Sequence, residues 1–529
     1  MRLPAATRDD GLALDLTRGT PARQIQRIPH QELCLRIARL LTAVAVGTLS
    51  AAMPSSAQTP ATDFPRLATA LLGGTPLERD LHDLTDRIGG RATGSAANVH
   101  SVAWALERFR AAGVTARRET FQMPSRWLER SATSTVRGAG VDFAPRIAAM
   151  PFSTATPVAG VTAALVDAGR GTAADFARLG AKARGAFVLV EQDELADINA
   201  LFAEYAATAE IEPRAFDAGV AGVVYVGSRA NSLLYRHNVA IGAKNTRPMM
   251  VIERDAGLRA MRLLRDGTTL TFTARLDLDV GGPYESANVV GEIPGTTRAN
   301  EIVLIGAHLD SWDLGDGSLD NGANVVMLID VARQFQQLGI RPARTIRFVL
   351  WNGEEQGMEG SFAYTRSHAA ELDRHVMATS FDIGCGRVQG FFTGGRPELV
   401  PLVERAIAPV AGLGPFKQTD APLVGTDNFD FMLHGVANLV ADQESASYGP
   451  NYHARSDTYE KCDTRVLRQN AIVAAALVYG FATMPDALPR QTRAQVEALM
   501  KATDLAQQMK AMGVWDGWDA GTRGRAPLR

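Results

Sequence analysis

The chain reads as an α/β protein built on a mixed, largely parallel sheet flanked by helices. Two strand-length apolar runs, residues 302–305 and 345–350, enclose a helix-length apolar-periodic segment, 322–338. That is the pattern of strand, crossover helix and parallel strand. Further apolar runs at 288–293, 375–383 and 437–440 extend the sheet. The polar residues His308, Asp310, Glu354 and Glu355 fall just past the ends of predicted strands, where sheets of this type gather ligands.

A chain of 529 residues has room for two or three domains with their own cores. It is 46% hydrophobic and 21% charged with a formal net charge of -2. Neither a basic excess nor a basic run is present, which argues against a nucleic-acid partner. Residues 1–57 read as a secretory signal with an extended polar start. Arg36 and Arg39 precede an apolar stretch over 40–53, and small residues lead to a cleavage point after Ala57. The apolar stretch is shorter than the roughly 20 residues a bilayer requires. The expectation is therefore an exported protein, periplasmic or secreted, with no stable membrane insertion once the signal is removed. Of three cysteines, Cys34 lies in that signal, and Cys385 and Cys462 would remain as one disulfide or two buried thiols. No cysteine cluster has the spacing of a thiolate zinc site.

Taken in order, residues 58–122 form the N-terminal part of the main domain. Leu77, Leu81, Leu84 and Ile88 mark one helix face. A loop over 89–95 leads to a helix over 98–112 that stops at Gly113, and 117–121 is a strand. From 123 to 280 the character changes to short β-like runs, clearest at 186–190 and 222–226, with a helical segment at 214–218. This reads as a separate α/β module interrupting the main domain, with no convergent His, Asp or Glu of its own. The main domain resumes over 281–485 with helices expected at 360–372, 398–408 and 463–483, the last ended by Pro485. Over 486–529 one amphipathic helix is expected, followed by a disordered tail from 521.

His308, Asp320, Glu355, Asp382 and His453 each sit at a strand end or adjoining loop and suit two zinc ions held by imidazole and carboxylate. Five side chains serve two metals only if one bridges, and Asp320 is the candidate because a carboxylate has two oxygens. Asp310 can accept the second ring proton of His308 and fix its tautomer.

His308-Leu-Asp310, Asp320-Asn321, Glu354-Glu355, Phe381-Asp382 and His453 with Ser456-Asp457-Thr458 resemble, in order and spacing, the co-catalytic dizinc exopeptidases of the aminopeptidase and glutamate carboxypeptidase group. The likeness is strongest to the plasma glutamate carboxypeptidase branch, and Arg91-Ala-Thr-Gly94-Ser95 and Gly425-Thr-Asp427 share it. The resemblance implies a zinc exopeptidase fold with an inserted protease-associated domain at 123–280. It also implies two zinc ions, one on His308 and Asp382 and the other on Glu355 and His453, with Asp320 bridging. Glu354 would be the general base, Asp310 a catalytic helper, and the Asp320–Asn321 peptide cis. Substrates would be dipeptides or short peptides cut by a dipeptidase or carboxypeptidase, with an aminopeptidase of the same family as the alternative. A glutaminyl cyclase and an inactive receptor-like protein are the remaining readings, and a homodimer is one arrangement left open. Tyr448 and Tyr452 are candidates to assist the oxyanion, and Arg387 and Arg455 to hold a substrate carboxylate. Asp427 matches a family position without a derivable role.

Overall fold

The computed structural model describes residues 63–195, 198–239, 245–445, 447–486 and 488–526. The signal expected over 1–57 lies outside them. Seven strands form the main sheet in the order Thr115–Met123, Tyr284–Ile293, Arg344–Trp351, Arg298–His308, His375–Ser380, Asn438–Gln443 and Val388–Phe392. The four from Arg344–Trp351 to Asn438–Gln443 run parallel, and the flanking strands are antiparallel. Side chains alternate between faces along a strand. Val303, Ile305 and Ala307 enter one core while Ile302 and Leu304 enter another. Both faces are thus covered, which is why the run is apolar throughout instead of alternating with polar residues.

On one face, helices Ala323–Gln337 and Thr464–Thr483 pack together and against Asp63–Leu72. Helix Thr464–Thr483 is long and apolar enough to cross a membrane, yet Leu467 and Ala471 to Val478 are buried in this core. Its start is capped by the Asp463 side chain, which accepts from the Arg465 amide. Ser95 caps helix Ala96–Ala111 in the same way, accepting from Asn98, and Gly113 at φ 75° ends it. The opposite face carries Glu359–Ser367 and Asn428–Leu433.

Residues between Met123 and Tyr284 build a second, eight-stranded sheet. Its order is Val141–Phe143, Arg126–Gly138, Leu270–Gly281, Val161–Asp167, Phe187–Val190, Gly222–Val226, Met249–Ile252 and Ile147–Ala149. Met123 and Tyr284 are themselves paired, so the module leaves and rejoins the main sheet at one point.

Three expectations need correction. The helix expected at 214–218 is the end of one that spans Ile198–Asp217. Five alanines between Ile198 and Pro213 favour helix through that stretch, and Pro213 lies inside it. The helix expected at 360–372 ends as Glu359–Ser367 and continues as a tighter turn over Ala369–Arg374. The C-terminal region holds three helices, Arg493–Ala502, Leu505–Ala511 and Trp515–Asp519, and residues 521–526 are ordered and not a free tail. Arg523 there is 8% exposed, its guanidinium gripping the fully buried Asp430 at 2.7 and 2.8 Å. Two charges so paired offset the burial that neither would tolerate alone.

Candidate metal centre

Strand Arg298–His308 delivers His308 to its C-terminal end, and the parallel neighbour Arg344–Trp351 leads three residues later to Glu354 and Glu355. Strand His375–Ser380 ends two residues before Asp382. A wide turn over Ser318–Gly322 carries Asp320, and the Asp320–Asn321 peptide is cis. The loop before helix Thr464–Thr483 supplies His453. All five predicted ligands are buried and meet in one place.

Their atoms form two groups that share Asp320. His308 Nε2 lies 3.0 Å from Asp320 Oδ1 and 2.9 Å from Asp382 Oδ1. His453 Nε2 lies 2.8 Å from Glu355 Oε2 and 3.4 Å from Asp320 Oδ2. Each ring's other nitrogen is committed to a main-chain carbonyl, His308 Nδ1 to Asp310 at 3.0 Å and His453 Nδ1 to Arg236 at 3.1 Å. With Nδ1 donating, each Nε2 is left facing carboxylate oxygens, and Asp382, Asp310 and Asp320 favour positive charge on the His308 ring. Carboxylates packed this closely around two ring nitrogens call for positive charge between them, a role that a metal ion or a ring proton fills. Asp320 Oδ2 and Glu355 Oε1 are buried and accept no hydrogen bond from the described residues. These atoms fit a pair of metal ions bound by imidazole and carboxylate.

Electrostatics point the same way. Burial, reinforced by Asp382, Asp427 and Glu355 and opposed by His308, holds Glu354 well above the usual carboxylate range. Burial together with Asp320, Asp310 and Asp382 does the same to Glu355. Arg91, 0% exposed, adds a cation beside Asp457, Asp310, Asp320 and Glu355, and donates to the carbonyls of Gly89, Leu309, Asp316 and Gly317. Asp457 accepts from the amides of Leu319 at 2.7 Å and Asp320 at 3.1 Å, fixing the turn that presents Asp320.

Asp310 acts differently from expectation. Its main-chain carbonyl takes the His308 ring proton, while its carboxylate stands 3.7 Å from that nitrogen. The carboxylate instead accepts from the Thr93 hydroxyl at 2.6 Å and the Glu354 amide at 3.4 Å. Tyr448 donates to the Asp382 carbonyl at 3.2 Å, and Tyr452 stacks on the His453 ring with centroids 3.7 Å apart. Asp427 is buried beside the cluster, and burial pushes it well above its usual range.

Two cavities meet at Glu354 and His453. One, about 430 Å³, is mainly apolar, with Ile383, Phe392, Leu423 and Tyr448 in its wall and Asp442 among its polar residues. The other, about 320 Å³, is more polar and is walled by Asn238, Gln356, Glu359 and Arg523. Tyr205 from the inserted module and Met512 from the C-terminal region border both. Helix Leu505–Ala511 packs on helix Ile198–Asp217. Arg387 pairs with Glu444 and Arg455 is exposed, and neither lines these cavities.

Tyr205, Asn238 and Arg523 are the contributors that sequence reasoning missed. A signal existed for Asn238, since Tyr235-Arg-His-Asn238 concentrates polar and aromatic groups in a stretch otherwise of small and apolar residues. Tyr205 and Arg523 offered none, because what places them is packing between distant segments.

Residues 288–478 match the model of peptidase family M28. Human carboxypeptidase Q is 28% identical over 229 residues, 43% of this chain and 48% of that protein, so the chain spans about half the length of this relative. The aminopeptidase YwaD of Bacillus subtilis is 25% identical over 498 residues, 89% of this chain and 100% of that protein. The crystal structure of a peptidase M28 precursor from Shewanella amazonensis superposes with a TM-score of 0.73 at 25% identity, covering 81% of this chain and 98% of that one.

Proposed function

With residues 288–478 matching peptidase family M28, we propose that the protein is a zinc-dependent exopeptidase acting on dipeptides or short peptides. The observation that carries the reading is the convergence of two histidine Nε2 atoms and orphaned carboxylate oxygens around Asp320. His308 and Asp382 would hold one zinc, His453 and Glu355 the other, with Asp320 between them. Bound zinc supplies a water of lowered pKa and polarises the scissile carbonyl.

Glu354 stands beside the ligands without being one. Its carboxylate would take a proton from the attacking water as the oxygen bonds to the carbonyl carbon. It then returns the proton to the leaving nitrogen as the C–N bond breaks. Asp310 sets two parts of the site, orienting His308 through its carbonyl and the Glu354 amide through its carboxylate. The two cavities receive the residues on either side of the scissile bond. The packing of helix Leu505–Ala511 on helix Ile198–Asp217, beside Tyr205 and Met512, supports short substrates.

A dipeptidase or carboxypeptidase is the first reading, since the Arg523 guanidinium, though paired with Asp430, lies in the wall of the smaller cavity and can share its donors with a free carboxylate. Aminopeptidase action is the second, favoured by the match to YwaD over nearly the whole chain. The inserted module is read as a protease-associated domain. Cys385 and Cys462 are disulfide-bonded, which supports an oxidising compartment outside the cytosol.

One dipeptide in free, N-acetylated and C-amidated forms, with and without chelator, tests the assignment. Cleavage of the free form alone means a dipeptidase, of free and acetylated forms a carboxypeptidase, of free and amidated forms an aminopeptidase. Glu354→Gln should keep its zinc and lose about 10²- to 10⁴-fold in kcat, whereas Asp320→Ala should lose zinc. Undiminished turnover by the first variant, or two zincs in the second, would refute these roles.

A further inference from the structure

The inserted module does more than border the cleft. Its segment 234–239 runs alongside the loop that carries His453. Tyr235 pairs with Ala454 in an antiparallel bridge, and the Arg455 amide donates to the Leu234 carbonyl at 3.0 Å. Arg236 grips His453 from both sides of its own peptide. Its amide donates to the His453 carbonyl at 3.0 Å, and its carbonyl accepts the ring proton from His453 Nδ1 at 3.1 Å. Two residues on, Asn238 Nδ2 donates to the Glu355 carbonyl at 2.7 Å. The module therefore touches both ligands of one proposed zinc position.

The other position is supported differently. His308 donates to Asp310, and the Asp382 carbonyl accepts from Tyr448. Asn321, next to the bridging ligand, donates to the Phe381 carbonyl at 2.8 Å. Each of these partners belongs to the main domain. Among the described residues, no hydrogen bond runs from the inserted module to His308 or Asp382.

We propose that the inserted module sets the zinc affinity of the His453–Glu355 position and leaves the His308–Asp382 position to the main domain, with Arg236 as the positioning residue. The inference rests on the two-zinc reading above. The Arg236 side chain, 1% exposed, locks the segment in place. It donates to Glu129 at 2.7 Å and to the Ala149 carbonyl at 3.0 Å within the module, and to both oxygens of Asp313 at 2.9 Å in the main domain. Trp312, beside Asp313, packs edge-on to His453 and to Trp127 of the module, so the imidazole is also steadied from that side. A partner that receives a ligand's ring proton fixes the tautomer and the aim of the metal-binding nitrogen. Here that partner is a main-chain atom, and the side chain holding it spans two domains.

The test is equilibrium zinc binding by the full chain, measured by competition with a chromophoric chelator, which needs no turnover. Wild type should show two dissociation constants. Arg236→Met should raise one of them about 10- to 100-fold and leave the other within about twofold. Asn238→Ala is a milder second variant that tests the same segment if Arg236→Met does not fold. Single-position backgrounds identify which constant moves. With His308→Ala the remaining affinity should fall on adding either variant, and with His453→Ala it should not. Equal weakening of both constants, a response in the His453→Ala background, or no change from either variant would each overturn the proposal. A wild-type chain that binds fewer than two zincs overturns the two-zinc reading itself.

Discussion

Breaking the Cys385–Cys462 disulfide should cost the fold several kilocalories and loosen the candidate metal centre with it. The two cysteines are 77 residues apart in sequence, 5.3 Å apart at Cα, and both buried. Cys385 follows Asp382 by three residues, and Cys462 follows His453 by nine. The bridge thus ties the loops that present one ligand from each proposed zinc position. Closing a loop of this length in the unfolded chain corresponds to about 4.5 kcal/mol at 25 °C in the chain-entropy model. Replacing both cysteines by alanine, or reducing the native protein, should lower unfolding free energy by an amount of that order. Urea unfolding followed by fluorescence, with and without reductant, measures it, and zinc content reports on the loops. An unchanged midpoint on reduction, or two titratable thiols in native protein purified from an oxidising compartment, would refute the reasoning.

Acid should weaken the fold through His375. Its Nδ1 donates to the Glu371 carbonyl at 3.0 Å, its Nε2 accepts from the Tyr364 hydroxyl at 2.9 Å, and burial pulls it down to about 4. Unfolded, it titrates near 6.5. The unfolded state therefore binds the proton first, and stability is full above about pH 6.5 and lost as pH falls toward 4, by about 3 kcal/mol. His375→Gln should flatten that part of the stability profile, and an unchanged slope would count against it. Arg523→Met strands the buried Asp430 carboxylate and should cost about 3–5 kcal/mol, read as a lower melting temperature. If Arg523 also receives substrate carboxylate, KM should rise for dipeptides with a free C-terminus and hold for amidated ones. A uniform change in both would leave it a structural residue only.

The main sheet and the five clustered candidate ligands were legible because each depends on local signals. A strand buried on both faces is apolar throughout, as at Ile302 to Ile305, and a histidine or carboxylate at the end of such a strand stands out against it. The disulfide was legible as one of two options. What could not be read were contacts between segments far apart in sequence. Arg523 reaches Asp430, Asn238 reaches Glu355, and Tyr205 borders the cleft from a helix whose start was misplaced. Asp310 illustrates a subtler limit. Its position beside His308 was legible, but which of its oxygens takes the ring proton depends on backbone geometry that no spacing encodes.

The pairing of Met123 with Tyr284 joins the inserted module to the main sheet at a single point. Strands Thr115–Met123 and Tyr284–Ile293 are in effect a hairpin whose tip has been opened. A recombination event can add or remove a module at such a tip while only a turn is rebuilt, because no register in the main sheet changes. Departure is not symmetrical with arrival. Once Arg236 has become the acceptor for the His453 ring, a deletion that restores the hairpin leaves that nitrogen without its partner. An insertion that began as a neutral ornament at a hairpin tip would by this route become one the lineage could no longer discard.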